Sequence, residues 1–151
     1  FGYASVNFGI PVSARDYCTQ HRVHFNKLAK ADRFVQVQRL ADELMAAIRH
    51  VMPILPIPLI CTVFLQADSK TLKSLDILGR VDRLIDQMIA RGAAMKSSEK
   101  PRNRTLMEGL ELLKARGILQ EDNDLFEADP LSLAVLEYYA NSIAHWATTV
   151  E

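Results

Sequence analysis

The sequence predicts a mainly α fold: helices in a winged-helix-like order (helix, helix, helix, hairpin), closed by a long buried C-terminal helix and preceded by one strand. Three observations predict it. Apolar residues recur at steps of three and four along residues 32–50, 74–91 and 130–150, the spacing of one face of an α-helix. Proline and glycine punctuate the ends of these stretches, at Pro53, Gly92, Gly117 and Pro130, where such residues stop or start helices. Two short apolar pairs, Ile118-Leu119 and Leu125-Phe126, flank Asp122-Asn123-Asp124, which reads as a tight hairpin.

At 151 residues the chain has the size of one domain with a piece of another attached. The opening run YASVNF, residues 3–8, holds Tyr, Val and Phe before Gly9 and Pro11 break it, so it reads as a strand and turn. A lone strand needs a sheet, and no other long strand follows. The expectation is a division into residues 1–28, the last strand and exit of a truncated α/β domain, and residues 29–151, a helical domain. Ser13 can cap a short helix or turn at Ser13–Tyr17, and residues 21–31 read as a polar loop.

From Asp32 to His50, Phe34, Val37, Ala41, Leu44 and Ile48 mark the dry face, while Gln36, Arg39, Asp42, Glu43 and Arg49 take the wet one. Residues 51–65, VMPILPIPLICTVFL, then run without a charge. A membrane span wants about 20 apolar residues, and three prolines fit one poorly, so residues 58–66 read as a short buried helix, with a strand as the alternative that their β-branched content leaves open. Ile54, Leu55, Ile57 and Leu59 are the candidates for contact with lipid or an acyl chain. Residues 68–74 read as a polar connector, with Ser74 as the cap of the next helix. That helix buries Ile77, Leu78, Val81, Leu84, Ile85, Met88 and Ile89 and stops at Gly92. Residues 93–104 read as a basic loop, and Thr105 with Glu108 as a capping box for a helix carrying Leu106, Met107, Leu110 and Leu113. In the final stretch, PLSLAVLEYYANSIAHWATTV, Asp129 can cap and Pro130 suits the first helical position. Its apolar residues lie nearly all round, which predicts one helix buried among several neighbours.

Composition excludes some classes of function. Eighteen basic and eighteen acidic residues cancel, so no global field favours nucleic acid or anionic lipid. Winged helices often bind DNA, and Lys96, Lys100, Arg102, Arg104, Lys114 and Arg116 could meet phosphates. Glu108, Glu111, Glu121, Asp122, Asp124 and Glu127 on the same helix and hairpin would repel them, so no nucleic-acid partner is expected. Cys18 and Cys61 have no metal-type spacing, which fits a reduced, intracellular chain. His21 and His24 stand three apart, yet no Cys, Asp or Glu nearby completes a metal site. No nucleophile motif and no glycine-rich phosphate loop is present, and no cofactor is expected.

Two stretches resemble one family. Residues 2–11, GYASVNFGIP, are similar to the strand and turn near the end of the acyltransferase domain in bacterial glycerol-3-phosphate acyltransferases, whose usual form is V-x-F-G-E-P. Tyr138-Tyr139-Ala140-Asn141-Ser142-Ile143-Ala144-His145 resembles that family's C-terminal Y-Y-R-N-N-x-x-H. Phe8, Gly9, Pro11, Tyr138, Tyr139, Asn141 and His145 carry the likeness; Ile10, Ala140 and Ser142 depart from it. The intervening parts also follow in the family's order. The resemblance implies a parent enzyme that moves an acyl chain from acyl-CoA or acyl-carrier protein to glycerol 3-phosphate at the cell membrane, as a peripheral protein or on its cytoplasmic face. The family's H-x-x-x-x-D, whose His is the general base, is absent: His21, His24, His50 and His145 are followed five positions on by Asn26, Ala29, Leu55 and Val150. The resemblance therefore implies a non-catalytic region, with its own catalytic domain upstream of Phe1 as partner. The alternative is a winged-helix-like module that binds a protein partner.

Overall fold

The protein is described from a computed structural model, which covers residues 6–69, 71–93 and 101–147. It divides into two compact units, Phe1–Met52 and Pro53–Glu151.

In the first unit, α1 spans Ala14–Gln20. Ser13 caps it, its hydroxyl accepting the Asp16 N–H at 3.2 Å and so satisfying one orphan donor of the first turn. The helix runs three residues beyond Tyr17 and ends where the polar stretch 21–31 begins, and within that stretch a short 3₁₀ turn follows at Phe25–Lys27. Helix α2, Lys30–Val51, has 22 residues, roughly 33 Å of length. It ends before Pro53, whose ring cannot continue a helix. His21 Nε2 lies 3.2 Å from Glu43 Oε1, linking α1 to α2. The Asn7 side-chain amide donates to the Val51 carbonyl at 2.9 Å. Residues 6–8 have no regular structure, where a strand over residues 3–8 was expected; residues 3–5 lie outside the described residues. A strand needs an edge to pair with, and the described residues of this unit supply none.

The second unit is built on α3, Pro56–Gln66, in which every residue from Pro58 to Phe64 is buried. Pro56 opens the helix, where its missing N–H costs nothing. The Thr62 hydroxyl, buried with the rest, donates back to the Pro58 carbonyl at 2.8 Å. Around α3 come β1 (Thr71–Lys73), α4 (Ser74–Ala90), α5 (Arg102–Ala115), β2 (Leu119–Asp122), β3 (Leu125–Ala128), α6 (Leu133–Asn141) and α7 (Ala144–Ala147). The three strands form an antiparallel sheet in the order β1-β3-β2. Its register sets Leu72 and Glu121 on either side of Phe126, and Leu72 and Phe126 are both buried. Asn123 and Asp124 turn the hairpin with φ of 50° and 65°, the left-handed pair of a two-residue loop.

Four readings of the sequence change here. The connector 68–74 contains β1, because β3 offers Thr71–Lys73 an edge that no local pattern announces. Ser74 is the first residue of α4, and its cap position is Lys73. Helix α5 starts at Arg102, so Thr105 lies inside it, donating to the Pro101 carbonyl at 3.3 Å. Glu108 pairs with Arg104 at 3.5 Å rather than closing a capping box. The fourth is the final stretch, which is not one long helix. It is a 3₁₀ turn at Pro130–Ser132, then α6, then α7. At the break, the Ser142 hydroxyl donates to the Tyr139 carbonyl at 2.8 Å, and the N–H groups of Ser142 and Ile143 reach back three residues instead of four. Serine competes for helical carbonyls in this way. The centre of the core is α3, not the C-terminus. Of the expected basic loop, residues 94–100 fall outside the described residues.

Candidate functional site

Two arginines join the helices of the second unit to its C-terminal segment. Each is the last residue before a glycine stop. Gly92 has φ 88° and Gly117 φ 69°, the left-handed conformation that lets the next N–H turn back onto the helix end. Ala93 donates to the Met88 carbonyl at 3.0 Å and Ile118 to that of Leu113 at 3.0 Å. The preceding arginines are thereby aimed off the helix ends. Arg91 Nη1 donates to the Trp146 carbonyl at 2.6 Å, and Arg116 Nη1 to the Tyr139 hydroxyl at 2.7 Å. Neither contact was anticipated from the sequence, although the repeated Arg-Gly at two helix ends is its visible signal.

The C-terminal signature residues therefore have unequal settings. Tyr139 is half-buried and held by Arg116. Tyr138, its ring 5.6 Å away edge-on, is 74% exposed. Asn141 is exposed, and His145 is half-buried with its ring 5.1 Å from that of the buried Trp146. In the N-terminal signature Phe8 is 92% exposed, and Pro11 is exposed too. Gly9 passes close over α2: a Cβ there would lie 3.1 Å from Val51 Cγ1.

The residues expected to contact lipid have unequal exposure. Ile54 and Leu59 are 4% and 3% exposed and belong to the core, while Leu55 and Ile57 are half-buried. The uncharged run is apolar because it forms the central helix, and its central residues leave no face open.

Titratable chemistry is sparse. Burial pushes the Cys61 thiol up to about 12, far from the thiolate that a nucleophile needs. The Lys114 ammonium is raised from its ordinary value by its bonds to Glu121 and then Glu111, a small surface cluster on α5 and β2. Arg102 pairs with Asp82 at 3.0 Å. Among the described residues no three His, Cys, Asp or Glu side chains converge to hold a metal ion.

No curated protein and no solved structure matches this chain. Residues 1–149 match the family model described as the glycerol-3-phosphate acyltransferase C-terminal region. That match spans nearly the whole chain and agrees with the two signature stretches, so the chain belongs to the family of glycerol-3-phosphate acyltransferase C-terminal regions.

Proposed function

We propose that this chain is the non-catalytic C-terminal part of an enzyme that transfers an acyl group from acyl-CoA or acyl-carrier protein to glycerol 3-phosphate in phospholipid synthesis. Its task is to brace the catalytic domain. The observation that carries the reading is the use to which the signature residues are put. Tyr139 is spent on a contact between α5 and α6, and His145 sits against Trp146. The sequence, for its part, contains no H-x-x-x-x-D that could supply a general base to the glycerol hydroxyl. On this reading the parent works at the surface of the cell membrane. Among the described residues no helix is long and apolar enough to cross a membrane. With Ile54 and Leu59 in the core, a lipid contact from this region would have to use its exposed apolar side chains.

The test is His145→Ala in the whole acyltransferase, with melting temperature and acyl transfer measured together. The expected result is a lowered melting temperature and an unchanged turnover per folded molecule. An unchanged melting temperature with abolished transfer would place His145 in the chemistry and overturn the bracing role.

A second reading, a winged-helix-like module for a protein partner, is supported by the order α3-β1-α4-α5-β2-β3 with sheet order β1-β3-β2. The exposed Glu111, Glu121 and Asp122 on α5 and its hairpin disfavour nucleic acid. A binding isotherm with DNA that weakened steeply with salt would reverse that preference.

A further inference from the structure

The C-terminal segment of the second unit changes neighbours partway along. Helix α6 packs on α3, with Leu136 and Ala140 buried. Helix α7 packs on α4, with Trp146 buried. Ile143 lies between them and is 1% exposed. Continued as one helix, the segment would carry Trp146 about 80° round from Leu136, off the stripe that Leu136, Ala140 and Ile143 share. The break falls where the neighbour changes.

The two halves are separable on three grounds. The first is the hydrogen-bond ladder. The N–H groups of Ser142 and Ile143 reach back three residues, to the Tyr139 and Ala140 carbonyls at 3.2 and 3.0 Å. The Ser142 hydroxyl also donates to the Tyr139 carbonyl, at 2.8 Å. Helical order propagates along an unbroken ladder, so an interruption here limits how far one half enforces the other. The second ground is fastening. Arg116, at the end of α5, holds the Tyr139 hydroxyl of α6 at 2.7 Å, whereas Arg91, at the end of α4, holds the Trp146 carbonyl of α7 at 2.6 Å. Each half has a charged donor from a different helix, and bonds from ionised donors are the stronger kind. The third ground is burial. Leu136 and Ile143, each 1% exposed, lie inside the core, while Trp146 at 9% lies at its margin. Proteins open locally in segments of this kind before they unfold as a whole.

We propose that the C-terminal segment is a strap in two parts. Helix α6 is fixed to α3, and α7 is a latch that lifts off α4 while the rest of the second unit stays folded. Ser142 is its hinge and Arg91 its catch. Lifting the latch breaks the Arg91 bond to the Trp146 carbonyl, uncovers the Trp146 ring and carries His145 with it. All of these parts lie within Pro53–Glu151, and the latch does not depend on the chemistry of the parent enzyme.

The experiment is native-state hydrogen exchange on the full-length protein, read amide by amide, in the wild type and in Arg91→Ala. In the wild type, the Trp146 and Ala147 amides should be at least about tenfold less protected than those of Glu137 to Ala140. In Arg91→Ala the first pair should lose about a further tenfold, equivalent to about 1.4 kcal/mol, with α3 and α6 unchanged. Equal protection of α6 and α7 in the wild type would overturn the proposal. So would an Arg91→Ala protein in which α3 and α6 lose protection together with α7, since the segment would then open only with the whole unit. Unchanged exchange at Trp146 and Ala147 in Arg91→Ala would remove the catch and overturn it as well.

Discussion

Cys61 lies in the middle of α3 with no exposed surface, and burial raises its thiol from 9.0 to about 12. The unfolded chain gives up this proton near pH 9, the folded chain only near pH 12. Between those values the folded state holds the extra proton, so stability falls as pH rises through the window, by an amount on the order of 4 kcal/mol. Urea unfolding at pH 8 and pH 10.5 should show a steeper decline in the parent chain than in Cys61→Ala. A thiol reagent should label Cys18 alone until denaturant is added. The two adjacent tyrosines offer a second test. Tyr139→Phe removes the acceptor of Arg116 and should cost about 1 kcal/mol, while Tyr138→Ala, at an exposed site, should stay within about 0.5 kcal/mol. Equal losses in thermal melts would show that the Arg116 contact contributes nothing. The sequence marks both tyrosines as one motif. What separates them is the helix break at Ser142 and the reach of a distant arginine, neither of which local spacing encodes.

At the scale of elements, α3 and α5 approach closely at Gly109. A Cβ on Gly109 would come within 2.9 Å of Ile60 Cδ1 and 3.4 Å of Pro56 Cβ. Ile60 is fully buried, so its methyl group has little room to retreat. Overpacking of this kind costs about 1–3 kcal/mol, against about 1 kcal/mol of helix propensity gained by replacing glycine. Gly109→Ala should therefore be destabilising by roughly 1 kcal/mol, and Gly109→Leu severely so. Gly79 in α4 faces open space, where an added methyl group would meet nothing within 4 Å, and Gly79→Ala should stabilise by about 0.5–1 kcal/mol. Denaturation midpoints giving both alanine variants the same sign would refute the close crossing. Long periodic helices such as α2 and α4 were legible because a 3.6-residue repeat is written locally. The hairpin was legible from Asp122-Asn123-Asp124. Strand β1 was not, since three residues become a strand only when β3 is beside them. The cap of α5 was misplaced because Pro101 starts the helix before the Thr105–Glu108 pair can act.

For the molecule as a whole, burial is distributed unevenly between the two units, and stability should follow it. Helices α3, α4 and α5 share one continuous apolar cluster, so their amides should exchange with solvent only when the second unit opens entirely. Helix α2 buries none of its own residues, and most helical stability in proteins comes from packing an amphipathic face. Among the contacts that hold it are the partly exposed His21–Glu43 pair, of a kind that adds little, the Arg33 bond to the Leu28 carbonyl and the Asn7 bond to Val51. In the isolated chain, native-state hydrogen exchange should therefore find α2 amides at least about 100-fold less protected than those of α3 and α4, a gap of about 2.8 kcal/mol. Equal protection of α2 and α4 would show that the contacts of α2 stabilise it as firmly as burial stabilises α4.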